Sequence, residues 1–169
     1  PGNKTDGSPY MGRKAQRQVV VAALKSVINS NTDIREEQRQ YNLLATPGYP
    51  EALSNMATLN TDRKETAHII ADTPLRLAAN AADLEAWSKN SNAATDNGED
   101  GLVTNNEYMS VYYPSGYSSD LAGNAVVVPA SHMILRTMAY NDSVGYQWFA
   151  AAGTNRGKIS NATAIGYID

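Results

Sequence analysis

Three short apolar runs restrict the fold more than any other feature: Tyr41–Thr46, with Leu43-Leu44-Ala45 at its centre, Ala67–Ala71, and Tyr108–Tyr113. They are too short for helices and too continuously apolar for strands with one wet face, so they read as strands covered on both sides. Each is closed by a chain-breaking element: Pro47-Gly48, Asp72-Thr73-Pro74 and Pro114. Helical spacing fills the gaps between them. Glu51–Leu59 is predicted as a helix with Pro50 near its first position, where a missing N–H costs nothing. Leu75–Trp87 is predicted as the next, with Leu77, Ala78, Ala81 and Leu84 on its apolar side. Strands alternating with helices predict an α/β fold, a mostly parallel sheet flanked by helices with right-handed crossovers.

The flanking segments are less constrained. Pro1–Gly12 is rich in Gly, Pro and polar residues and reads as a loop. Arg13–Ile28 reads as a helix, with Val20, Leu24, Val27 and Ile28 on one face and Arg13, Arg17 and Lys25 pointing away. Asn29–Asn31 breaks it. Val126–Val128 is a short apolar run ending at Pro129, and Ser131–Ala139 is predicted as a helix carrying Met133, Ile134, Leu135 and Met138. Lys89–Glu107, dominated by Asn, Asp, Gly, Ala and Thr, is predicted as an exposed polar insertion loop. No internal repeat or linker divides residues 1–169, which read as one domain.

Composition excludes several classes of function. The formal net charge is −3 and no Lys/Arg run marks a phosphate-binding face, which argues against direct contact with nucleic acid. There is no cysteine, so thiolate chemistry and disulfides are absent. The longest apolar stretches, such as Val19–Leu24, are far below the ~20 residues that span a bilayer, so no membrane insertion is expected. Ten tyrosines against one phenylalanine lean slightly toward an interaction protein, because the tyrosine ring suits wet interfaces.

No catalytic, cofactor or metal site is assigned from the residues. A serine hydrolase needs Ser, His and Asp in reach of one another. The only histidines are His68, at the start of a predicted buried strand, and His132, beside Ser131; Asp72 lies at a strand end. No nucleophile elbow accompanies them, and structural roles are expected for all three. Gly-rich phosphate loops are lacking. Asn155-Arg156-Gly157 is expected to be a tight turn held by Arg156 to a carbonyl or carboxylate, with anion contact as the alternative. Asp96, Asp100, Gly101 and Glu107 fall at the first, fifth, sixth and twelfth positions of a calcium loop, but Gly98 at the third supplies no ligand and a strand follows where that motif requires a helix. Trp148 and Phe149 are read as either packing or a docking patch.

Taken in order, several segments resemble the contractile tail sheath family of bacteriophages and related injection devices. Asn42–Tyr49, with Pro47 and Gly48, is similar to that family's strand followed by Pro-Gly. Ile69–Pro74, with Asp72 and Pro74, is similar to its apolar strand ending in Asp-x-Pro. Trp148–Gly157, with Phe149, Gly153, Asn155, Arg156 and Gly157, resembles its Trp-x-x-Pro-Ala-Gly-x-Asn-Arg-Gly signature, although Ala151 stands where proline is usual. Tyr112-Tyr113-Pro114 and Val126–Ser131 add supporting matches, and together the segments cover about Tyr41 to Gly157. The resemblance implies a subtilisin-like α/β domain without the protease's chemistry. It implies a structural virion protein, assembled in the host cytoplasm and located in the virion tail, that contracts to drive the tail tube through the host envelope. The implied partners are other sheath subunits in six-membered rings stacked helically, the tube protein and the baseplate. It further implies a chain continuing into a C-terminal domain and an arm, so this sequence is expected to be a piece of a longer protein. The alternatives are an inactive or unusual α/β hydrolase-like domain and a calcium-dependent binding module.

Overall fold

A computed structural model describes residues 3–8 and 11–166. The predicted loop 1–12 lies partly outside these residues, and the apolar Tyr167 and Ile168 wholly so. Strands β1 (Leu43–Ala45), β2 (His68–Asp72) and β3 (Met109–Tyr112) form a parallel sheet in that order. Leu44 pairs with Ile69, and Ile69 with Met109. A 3-10 turn at Pro50–Ala52 and helix α2 (Leu53–Asp62) connect β1 to β2, and α3 (Ala81–Ser88) lies between β2 and β3. The predicted α/β alternation therefore holds for this sheet.

Side-chain alternation along β2 fixes what covers each face. Ile69 and Ala71 point to one side and pack with Leu53, Met56 and Leu59 of α2 and with Ile28 of α1 (Met11–Ser30), which forms the main core. Ile70 and Asp72 point to the other side, where β2 meets α4 (Ala130–Val144).

Several boundaries differ from expectation for physical reasons. Helix α3 starts at Ala81 rather than Leu75. The Asn80 side chain accepts from Asp83 N–H and caps the helix there, leaving Leu75 and Leu77 in the connection before it. On α1 the inward stripe is Val21 and Leu24, both half-buried, and Ile28, which is buried, while Val20 and Val27 are exposed. Arg17 falls on that same stripe and turns inward instead of away. Residues 89–107 have no regular structure, yet they are not simply an exposed loop. Gly98 and Gly101 are buried, and Leu102 packs on the core. A Cβ at Gly98 would lie 2.0 Å from Pro50 O, so only glycine fits. Trp87 Nε1 donates to Gly98 O at 2.9 Å, which fixes the loop to α3.

The Val126–Val128 run does not extend the parallel sheet. It belongs to β5 (Ala125–Val128), which pairs antiparallel with β4 (Gly116–Ser119), and β4 pairs in turn with β6 (Ala164–Ile165). Asp120 Oδ1 accepts from Ala122 and Asn124 N–H, and Gly123 takes a φ of +84°, which closes the β4–β5 hairpin. Val126 and Val127 are exposed on this edge strand, and in the parallel sheet Leu43 of β1 and Val111 of β3 are exposed as well, so the expected cover on both faces is met only along Ile69–Asp72 of β2.

Candidate functional site: a buried carboxylate joining three segments

Asp72 ends β2 and is 3% exposed. Its Oδ2 accepts from Gly48 N–H at 2.8 Å and from the Ser131 hydroxyl at 2.6 Å; its Oδ1 accepts from Ser131 N–H at 2.6 Å. Gly48 reaches the carboxylate because the Pro47-Gly48 turn takes a φ of +78° at glycine. Ser131 sits in the first turn of α4, whose N-cap is Pro129, a residue without a side-chain acceptor. Asp72 supplies that acceptor from another strand, and its negative charge faces the positive end of the helix dipole. No ion pair to Asp72 occurs among the described residues. Hydrogen bonds and the helix end alone therefore hold this buried charge.

The arrangement is poorly suited to nucleophilic catalysis. Ser131 is fully buried, and its hydroxyl donates to a carboxylate rather than to a histidine. His132 is exposed, and its carbonyl accepts from Asn161. The close histidine–serine contact lies elsewhere: His68 Nε2 is 2.8 Å from Ser110 Oγ, across β2 and β3. No carboxylate bonds the His68 ring among the described residues, and the pair sits on the N-terminal half of its strands. Ligands in open α/β sheets bind beyond the C-terminal ends.

Asp96, Asp100 and Glu107 do not converge. No group of three His, Asp or Glu side chains placed to hold a metal ion occurs among the described residues. Asp100 accepts instead from Asn97 Nδ2 at 2.6 Å.

A second charged cluster was not legible as such. Arg17 makes a bidentate pair with buried Glu51, at 2.9 and 3.0 Å, and also donates to Glu99 at 2.6 Å and to Gly48 O at 3.0 Å. One guanidinium thus ties α1 to the turn before α2, to the Pro47-Gly48 turn and to the 89–107 loop. Burial pushes the Glu99 carboxyl up, Arg17 pulls it down, and the neighbouring Glu51 charge pushes it up again, for a net rise. Arg63, 7% exposed, is a buried cation. It donates to the carbonyls of Ile34, Glu36 and Arg39 and lies 4.0 Å from the Tyr41 ring centre.

The Trp148–Gly157 segment follows α4. Asn141 Nδ2 donates to Phe149 O at 2.7 Å and docks the segment on the helix. Trp148 is 77% exposed and stacks on Tyr146 at 4.5 Å between ring centres. Gly153, with a φ of +77°, opens the short helix α5 (Gly153–Arg156), on which Asn155 is exposed. Among the described residues Arg156 bonds neither a carbonyl nor a carboxylate, against expectation; its guanidinium lies 4.3 Å from the Phe149 ring centre. A Cβ at Gly157 would come within 2.8 Å of Ala152 Cα, so glycine is required there by close approach. Pro74 is buried behind Asp72, while Pro47 is exposed.

Among the described residues no helix is long and apolar enough to cross a membrane. No family model matches this chain, and neither does any curated protein or any solved structure.

Proposed function

We propose that this chain is the α/β domain of a contractile tail sheath subunit, a structural virion protein rather than an enzyme. One observation carries the reading: Pro47-Gly48, Asp72 and Pro129–Ser131, which resemble sheath segments in sequence, meet at a single buried carboxylate. These segments lie 24 and 59 residues from Asp72 along the chain. Their meeting supports them as parts of one fold pattern, since chance matches would have no reason to share a contact.

Under this reading the parallel sheet belongs to a subtilisin-like domain whose hydrolytic chemistry is missing. Its partners are further sheath subunits in helically stacked six-membered rings, the tail tube protein and the baseplate. The protein assembles in the host cytoplasm, resides in the virion tail, and needs neither cofactor nor direct nucleic-acid or membrane contact. Heterologous contacts of this kind propagate as a helix rather than closing as a dimer. Contraction draws on the free-energy difference between two packings of the same subunits, held back by a barrier. The exposed Tyr146–Trp148 stack suits a subunit contact, because aromatic side chains are favoured at interface centres.

The His68–Ser110 contact favours the second reading, an unusual hydrolase. Negative-stain images of the protein in its complete form separate the two. Helical tubes of stacked rings are expected. Discrete particles in which a serine-reactive phosphonate labels Ser110, with labelling lost in His68→Ala, would overturn the sheath reading.

A further inference from the structure

We propose that Asn97 is a site of spontaneous deamidation, and that its conversion unlocks residues 96–100 from the body of the molecule. Asn97 is the only asparagine in the sequence followed by glycine. Packing enforces that pair: a Cβ at position 98 would lie 2.0 Å from Pro50 O. The nitrogen that must attack is therefore unshielded by any flanking side chain. Gly98 N–H makes no hydrogen bond among the described residues, so no bond has to break before it reacts.

The side chain is already folded back over this peptide. Asn97 Oδ1 accepts from Glu99 N–H at 3.2 Å, an Asx-type turn that spans Gly98. The same hydrogen bond polarises the side-chain carbonyl toward attack and receives the negative charge that develops on its oxygen. Asn97 is itself exposed, which admits the water needed later.

The chemistry balances without any redox partner. The deprotonated Gly98 nitrogen bonds to Asn97 Cγ. The Cγ–Nδ2 bond breaks, and ammonia leaves carrying the proton that the main-chain amide lost. Water then opens the resulting cyclic imide at either carbonyl, giving an aspartyl or an isoaspartyl linkage. The net change is amide plus water to acid plus ammonia.

The isoaspartyl product routes the main chain through the former side-chain carbon and so lengthens it just before Gly98. Gly98 has no room to move toward Pro50, and its carbonyl accepts from Trp87 Nε1 at 2.9 Å. Glu99, the next residue, is the loop's link to Arg17 at 2.6 Å. The new carboxylate also joins Asp96, Glu99 and Asp100 in one short stretch, where like charges repel. Both effects push the loop off Arg17 and Trp87.

Incubation of the chain in mildly alkaline buffer, followed by peptide mapping and isoaspartyl methyltransferase labelling, tests this. The mass gain of replacing NH by O should be confined to position 97 and vanish in Asn97→Gln. The converted protein, separated by ion exchange, should melt at a lower temperature than the parent. No gain, a gain spread evenly over the exposed Asn92, Asn105 and Asn124, or an unchanged melting temperature would each overturn the proposal. Asn97→Asp adds the charge without the extra main-chain atom. If it melts as low as the converted protein, the lengthening account fails.

Discussion

In the parallel sheet, Ile69, Ile70 and Ala71 of the middle strand are at most 1% exposed, whereas Val126 and Val127 in the antiparallel sheet keep 37% and 41% of their surface. The residue types are nearly interchangeable, so composition does not explain the difference. Strand β2 has a hydrogen-bonded neighbour on each side, α1 and α2 over one face and α4 at the other. Among the described residues strand β5 is an edge paired with β4 alone, and its Ala125, Val126 and Val127 are exposed. An apolar run thus states a need for burial, and its neighbours decide whether that need is met within the chain. The first sheet is where stability resides; the second is surface.

The largest test of this contrast is Asp72→Ala. It abandons two buried N–H donors and a hydroxyl, and it frees the start of α4 from the sheet. The expected loss is about 3–5 kcal/mol by denaturant unfolding, because unsatisfied buried donors carry the full desolvation penalty. Asp72→Asn keeps one carbonyl acceptor and should cost roughly half as much. A loss below about 1 kcal/mol would mean that the three segments are held together by packing alone.

Next comes a direct comparison of the sheets. Ile69→Ala should cost about 2–5 kcal/mol through lost transfer energy and the cavity left behind. Val127→Ala should stay within about 0.5 kcal/mol, as surface substitutions do. Equal costs would show that β5 is covered in solution, for instance by another copy of the chain.

The smallest effect concerns Arg17 and its two carboxylates. Burial raises the folded-state pKa of Glu99 above its ordinary value, with Arg17 opposing and Glu51 adding to the rise. The folded protein then holds a proton that the unfolded chain releases, so this group makes stability fall as pH rises just above the ordinary carboxylate range. Glu99→Gln should flatten that slope in melting temperature against pH. An unchanged slope would assign it to another carboxylate.

What was legible followed from local signals. The three parallel strands were visible because continuous apolar runs between helical segments admit few other folds. Helices α1, α2 and α4 show in the sequence, although their ends lie up to a few residues from the expected ones. The expected start of α3 at Leu75 reflects Leu77, Ala81 and Leu84, whose i, i+4, i+7 spacing reads as helix, although Asn80 followed by Asp83 is a readable cap. Strand β4 gives no sequence signal because Gly-Tyr-Ser-Ser has no apolar pattern, and β6 is too short to show one. Arg17 reads as outward-facing because charges favour water; its register with Val21, Leu24 and Ile28 is the signal that points inward. Asp72 was visible as a strand-ending carboxylate, but its bonds to Ser131 cross 59 residues, and no local pattern reports such a contact.

The protein also carries its own pair of optical reporters. Trp87 is 5% exposed, and its indole N–H is bonded within the loop that Arg17 secures, while Trp148 is 77% exposed and stacked on Tyr146. A polar quencher reaches the second and not the first. Emission lost to the quencher therefore reports on the aromatic surface, and emission that resists it reports on whether the loop remains closed. An event at either place can be followed in the unaltered chain, with no label added.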